Sequence, residues 1–449
     1  MKNELLPKSV KAALQEAQEK MDASIAADAI PPELPRTLPP LIKLLTSKVP
    51  LIYKPAVAMA VFPPLGVHLN RVRFKYIDNV DHEPVFMSLL MAKQSIGKSS
   101  VNKPIDYIMA DIDERDKEMR QREMEWKEAY RQRGVNKEKP KRPNDMVVQM
   151  MMSNTTNAAL VQRLIDAEKN GDRFLYSRMD EVELLKQIHT TGGAGVSELI
   201  RLGYDCARYG QERVGVDSVS GTPKLRWNWN ASTTIEGGQR FFRNGLQNGT
   251  LSRITLSTIM QANNFDNELP VFEEYDEAFA EELRPFISRL NEAEGLICSE
   301  NANRLAHQLL KENNEVAVLS EDENYITLGY RANVSAFLRA MVLYVAHDGW
   351  SGEMEDFVRW SERYDLWCKV HFFGKMMQKS YEDMVAEVGT LPRNMLELLP
   401  SEFTTEDLVM LRNALGKRSN PYPILGMWTK RGYITRTEKG VYVKINIEH

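Results

Sequence analysis

The stretch from Val85 to Val101 constrains the fold more than any other part of the chain. It opens with an apolar run, Val85 to Met91, of the length of a buried strand. Ala92-Lys93-Gln94-Ser95-Ile96-Gly97-Lys98-Ser99 follows, and then a segment able to form a helix. The spacing is that of a phosphate-binding loop, with Ala92 where the stricter pattern has glycine. A loop between strand and helix turns successive backbone N–H groups inward, and Gly97 lets the backbone approach an anion closely. On this reading Ala92, Gln94, Ser95, Ile96, Gly97, Lys98, Ser99 and Ser100 hold a nucleotide. Lys98 reaches the β- and γ-phosphates of ATP, and the Ser99 hydroxyl completes the shell of a Mg²⁺ ion. The competing reading is a plain strand–loop–helix, because Gly-Lys-Ser alone recurs by chance.

Composition narrows the surroundings of that loop. A chain of 449 residues has room for two or three domains. Its formal net charge of −4 means that any surface for nucleic acid has to be local. Cys206, Cys298 and Cys368 are few, odd in number and scattered, which fits a reducing cytoplasm and no disulfide framework. No metal-ligand spacing joins them to the histidines, so no zinc site is expected. The charged, amphipathic start at Met1 is unlike a signal peptide. Pro55 to Val67 is too short for a membrane span and holds Pro63-Pro64, so no membrane is expected as a partner.

Taken in order, residues 1 to about 30 read as an amphipathic helix, and Pro31 to Pro40 as an extended linker. Leu41 to Leu65 is expected to be helical in pieces, and Arg71 to Tyr76 a strand. Asp106 to about Arg133 interleaves acids and bases at helical spacing, the pattern of a solvated helix laced with i,i+4 pairs. Lys137 to Pro143 is a basic loop, a flexible connection rather than a phosphate contact. Met146 to Met152 predicts a strand. Ser153-Asn154-Thr155-Thr156 supplies caps for a helix from Asn157 to about Lys169.

Arg173 to Glu181 is the second chemical element. Its apolar run ends in Asp180-Glu181, about 80 residues beyond the loop. At the carboxyl end of a strand, Asp180 would hold the Mg²⁺ shell and Glu181 would polarise the attacking water. Ser177-Arg178 interrupts the apolar pattern. The alternative is a helix N-terminus that favours acidic residues. Thr190 to Val196 reads as a Gly-rich loop. Leu225 to Thr234 alternates like a core strand and brings Asn230 or Ser232 to its end, either to report on a γ-phosphate or as a simple polar face. Gly237-Gly238 is expected to break the chain before a helix bearing Arg240 and Arg243. Arg253, after the Gly249 turn, is a candidate arginine finger, though a lone arginine is more often just exposed. Asp266 to Glu282 is acidic, and from there to about Lys379 the pattern is helical, with one break near Ser320 to Leu328.

The last 50 residues read as a winged helix: two helices, then a hairpin with its tip at Thr437 to Gly440. Lys417, Arg418, Lys430, Arg431, Arg436, Lys439 and Lys444 stand there against one acid, Glu438. That local excess suits contacts with a phosphate backbone. The alternative is a winged-helix module that binds protein.

With these motifs in hand, residues 45 to 380 resemble the P-loop, helicase-like domain of unknown function found in phages, plasmids and integrated mobile elements. The shared features are the lead-in Pro55 to Leu65, the loop Ala92 to Ser99 and the charged helix after it. The Ser153 to Thr156 cap, the strand ending in Asp180-Glu181 and the Gly249…Ser252-Arg253 segment complete them. Ala92 and Ser177-Arg178 depart from the pattern. The resemblance implies an α/β fold with a RecA-like P-loop NTPase core over 46–265, followed by a helical subdomain over 266–398; the winged helix over 399–449 and the N-terminal segment of 1–45 are read from the residues themselves. It further implies an ATPase, a DNA helicase in replication or mobilisation of a mobile element. Its site would lie between subunits of an oligomer such as a hexameric ring, with catalytic Lys98 and Glu181 and with Arg253 supplied in trans. Single-stranded or forked DNA is the implied partner. Primase activity would need a separate protein. The other expectations are an ATP-gated switch or helicase loader that does not translocate, and a DNA-binding adaptor that has lost ATP.

Overall fold

The computed structural model describes residues 30–132, 139–182, 185, 195–215, 218–243, 246, 249–260, 270–378, 394–415, 417 and 420–445. The amphipathic helix expected over 1 to 30, most of the Gly-rich loop at 190 to 196, the start of the basic loop at 137 and 138, and Arg418 lie outside the described residues. The strands are β1 (Val72–Lys75), β2 (Asp81–His82), β3 (Met87–Met91), β4 (Met150–Met151), β5 (Leu175–Met179), β6 (Trp227–Thr233), β7 (Thr255–Ser257), β8 (Gly295–Ile297), β9 (Glu402–Thr404), β10 (Ile434–Glu438) and β11 (Val441–Lys444). Chain contacts divide the molecule into two units. The larger comprises 32–310 and 328–389; the smaller comprises 1–31, 311–327 and 390–449.

The larger unit is built on a five-stranded, all-parallel sheet in the order β4-β5-β6-β3-β7. This layout is compatible with a Rossmann-type or RecA-like core. All five residues of β3 are buried, as a strand covered on both faces requires. Each buried Met or Leu side chain there is worth about 1.5–3 kcal/mol. The acid-bearing strand β5 pairs with β6 along its whole length, from Leu175 opposite Trp227 to Met179 opposite Ala231. Ser177-Arg178 therefore does not break it. Ser177 accepts the Trp227 indole N–H at 2.9 Å, and Arg178 leaves the opposite face. The strand expected over Met146 to Met152 shrinks to β4.

Both margins of this sheet end on a buried carboxylate. At β4, the two oxygens of Asp116 accept Gln149 N–H (3.0 Å) and Met150 N–H (2.6 Å), and Arg120, one turn further along the same helix, donates to the Met150 carbonyl. At β7, Asp365 accepts Leu256 N–H at 2.7 Å and the Lys369 ammonium at 2.7 Å. The helix carrying Asp116 runs Ala110–Gln132 and shows the expected i,i+4 pairs, among them Asp113–Lys117 at 2.6 Å.

Two readings of glycine and helix change. Gly237 and Gly238 lie inside the helix Ile235–Phe242 rather than before it. Thr234 caps that helix by accepting Gly237 N–H at 3.0 Å, and a Cβ on Gly238 would come within 2.6 Å of Met91 Cε at the end of β3. The glycine thus packs close to the sheet rather than breaking the chain. The helical stretch after 266 is interrupted more than once. Beside the turn at Glu321-Asp322, β8 intervenes between helices Glu277–Glu292 and Glu300–Ser320, where it pairs in parallel with β1. The helices Glu277–Glu292 and Gly352–Gln378 belong mostly to the same compact unit as the parallel sheet.

In the smaller unit, helices Thr405–Ala414 and Tyr422–Lys430 pack on an antiparallel sheet in the order β10-β11-β9. Phe403, Leu408, Ile424, Leu425, Trp428 and Ile434 are central to its core. Thr404 and Asp407 form a reciprocal capping box, worth about 1 kcal/mol. Among the described residues, no helix is long and apolar enough to cross a membrane.

Candidate functional site

The loop after β3 takes its shape from two backbone inversions. Ser95 has φ 61° and Gly97 has φ 87°, whereas Ile96 between them is not inverted. Alternation of hand points neighbouring N–H groups to one side of the chain. Ala92 prolongs β3, donating to the Thr233 carbonyl at 3.2 Å, while Lys93, Gln94 and Ser95 are exposed. The Lys98 ammonium lies 3.4 Å from the Lys93 carbonyl, bridging the two ends of the loop. A single 3₁₀ turn, Lys98–Val101, leads into the helix Asn102–Ile108. Tyr53 packs against the turn: a Cβ on Gly97 would meet its hydroxyl at 3.0 Å. Ser99 is exposed; Ser100 is buried, and its hydroxyl has no partner among the described residues.

Lys98, Ser99 and Asp180 line one cleft. It opens where the carboxyl ends of β3, β5 and β6 meet, the ligand-binding edge of an open parallel sheet. Asp180 stands immediately after β5 with its side chain in solvent. The residues between the two motifs are Asn230, Ala231 and Ser232 of β6, which separates β5 from β3. Ser232 donates to the Asp180 carbonyl at 2.9 Å and so fixes the turn that carries the carboxylate. Asn230 is committed elsewhere. It accepts from the Tyr176 hydroxyl (2.8 Å) and donates to the Ala60 carbonyl (2.9 Å), bracing the helix Lys54–Ala60 against the sheet. Of these two residues, Ser232 is the one that faces the candidate chemistry.

Sequence reading treated Arg178 as an interruption. In the fold it lines the same cleft and donates to Asp106 at 2.5 Å, tying β5 to the helix that follows the loop. The signal that finds it is period two: on β5, Arg178 and Asp180 share a face opposite Ser177 and Met179.

Glu181 and Arg253 are placed differently. A Glu181 oxygen accepts its neighbour's Val182 N–H at 2.9 Å, and the residue is not part of the cleft lining. Arg253 ends a short helix, Thr250–Arg253, just before β7. Its guanidinium donates to the Gly249 carbonyl at 2.9 Å and lies over the Tyr204 ring at 5.7 Å, where Arg331 also lies at 5.2 Å. Burial and the Arg331 charge lower its pKa from the usual value.

The cleft suits a divalent ion shared with phosphate oxygens. Ser99 and Asp180 offer two oxygen donors, and Mg²⁺ is usually completed by phosphate and water. No group of three potential metal-binding side chains occurs among the described residues. The cleft volume is about 70 Å³, well under the roughly 300–1,000 Å³ of sites that enclose whole small ligands. That volume is too small to enclose a nucleoside.

In the smaller unit Lys430, Arg431, Arg436 and Lys439 are exposed along the helix end and the hairpin. Lys417 donates to the Glu321 carbonyl (3.2 Å) and Lys444 to the Leu399 carbonyl (2.6 Å), so both ammonium groups serve the unit's own packing.

The class that fold and cleft define is an α/β protein with an all-parallel five-stranded sheet. Neither a protein-family model nor a curated protein matches this chain.

Proposed function

We propose that this chain is an ATP-hydrolysing motor on DNA, a helicase-like protein that serves replication or mobilisation of a mobile genetic element. The observation that carries the reading is the convergence of Lys98, Ser99 and Asp180 on one cleft at the carboxyl edge of a parallel sheet. Lys98 and the loop N–H groups bind the β- and γ-phosphates. Ser99 and Asp180 would hold Mg²⁺, which when bound neutralises phosphate charge. Ser232 keeps Asp180 in place, and Glu181 orients the attacking water once its carboxylate leaves Val182. The core is read as RecA-like and the smaller unit as a winged helix that binds DNA through Lys430, Arg431, Arg436 and Lys439. Arg253 serves a neighbouring copy in an oligomeric ring after releasing Gly249.

Lys98→Ala is expected to abolish DNA-stimulated phosphate release. Unchanged turnover would remove the site assignment. Reversing both Arg436 and Lys439 to Glu should weaken DNA binding and reduce the slope of log K against log salt by about 2, roughly 0.9 per lost phosphate contact.

One observation favours a second reading, an ATP-gated switch or loader without translocation. Glu181 and Arg253 are both held by their own chain. A slow hydrolase needs neither in place. Strand displacement on forked DNA separates the two: DNA-stimulated hydrolysis without unwinding supports the loader.

A further inference from the structure

A nucleotide whose phosphates sit on the Lys98 loop has to place its base outside a cleft of about 70 Å³. The surface next to the loop is aromatic. Tyr53, itself buried, lies against Gly97, and its ring packs tilted against Phe272 with centroids 5.1 Å apart and planes 32° apart. Phe272 is 43 % exposed, and it is flanked by Val271 at 84 % and, two residues before Tyr53, by Leu51 at 77 %. Three large apolar side chains thus face water on the two segments that carry Tyr53 and Phe272. The two segments bearing them are pinned together: Glu273 N–H donates to the Lys48 carbonyl at 3.0 Å, and the Lys48 and Glu273 side chains pair at 3.5 Å.

We propose that Phe272, backed by Tyr53, is the platform on which the base of the bound nucleoside triphosphate stacks. This rests on the phosphate-loop reading above. A flat apolar ring beside a phosphate site matches the two halves of a nucleotide, one charged and one aromatic. Tyr53 links the platform to the loop, because its hydroxyl end lies at Gly97 and its ring packs against Phe272. Stacking uses the π-face that every base has, so ATP and GTP are expected to bind with affinities within a few-fold of each other.

The test is calorimetric titration of the full chain with Mg²⁺·ATP and, separately, with Mg²⁺·tripolyphosphate, which has the phosphates and no base. Phe272→Ala should weaken ATP on the order of tenfold and leave tripolyphosphate unchanged, and Phe272→Trp should restore ATP. Lys98→Ala should weaken both. If Phe272→Ala binds ATP like the parent while Lys98→Ala weakens it, the platform is wrong and the phosphate loop stands. A Phe272→Ala variant that loses both ligands equally makes Phe272 a brace for the loop, which also overturns the platform. If the unaltered chain binds neither ligand, the phosphate-loop reading itself fails.

Discussion

The turns after β3 and after β5 both leave the carboxyl edge of the same sheet, yet they are built on different principles. The first is shaped by the main chain. Its two positive φ angles, at Ser95 and Gly97, set where the N–H groups point, and Tyr53 packs against the bend. The second is shaped by side chains. Ser232 of the neighbouring strand holds the Asp180 carbonyl, Arg178 reaches across to Asp106, and Glu181 folds onto Val182. A loop of the first kind tolerates change in most side chains and little change in backbone. A turn of the second kind has the reverse tolerance. The difference explains why Lys98 sits in the cleft through its loop, whereas Asp180 enters it and the adjacent Glu181 does not.

The largest effect should come from emptying the cleft of its acid. Asp180→Asn is expected to lower ATP turnover 100-fold or more, about 2.7 kcal/mol in barrier, and to flatten its dependence on Mg²⁺ concentration. If turnover instead tracks Glu181→Gln and ignores Asp180→Asn, the two acids have been assigned the wrong way round. Next comes the backbone-shaped loop. Gly97→Ala should destabilise the fold by about 1–2 kcal/mol, read as a lower melting temperature, because an L-residue pays for a left-handed conformation and its methyl group crowds Tyr53. An unchanged melting temperature would mean that the turn relaxes freely and is not backbone-defined. The smallest effect belongs to the prop under Asp180. Ser232→Ala removes one hydrogen bond, about 1 kcal/mol, and should lower turnover by a few-fold with no change in nucleotide affinity. A full loss of activity would show that Ser232 touches the reacting groups.

Much of the local architecture was legible. The apolar run before Ala92 is β3, the alternating run before Thr234 is β6, and Thr156 caps the helix Asn157–Lys169. These features are short-range, set by periodicity and capping. What stayed hidden depends on partners far along the chain. The pairing of β8 with β1 joins Val72 to Gly295, and nothing in a three-residue strand announces it. Ser177-Arg178 looked like a flaw because a polar pair in an apolar run gives no hint that Trp227 will satisfy one member and the cleft will receive the other. Gly237-Gly238 looked like punctuation because the close packing of Gly238 on Met91 involves a strand far back in the chain. For the site, residue type and order pointed to Lys98, Ser99 and Asp180. The engagement of Glu181 and Arg253 with their own neighbours is a matter of rotamer and three-dimensional surroundings, which spacing cannot express.

The carboxylates at the two margins of the parallel sheet have a further consequence. Asp116 occupies N–H groups along one margin, Arg120 takes a carbonyl there, and Asp365 answers an N–H on the other. At those positions an incoming peptide finds no free backbone to zip onto, so ribbon-like growth from one copy to the next is discouraged at its starting points. If copies of this chain assemble, they should meet through helices and loops, which keeps their number and orientation under the control of side-chain fit.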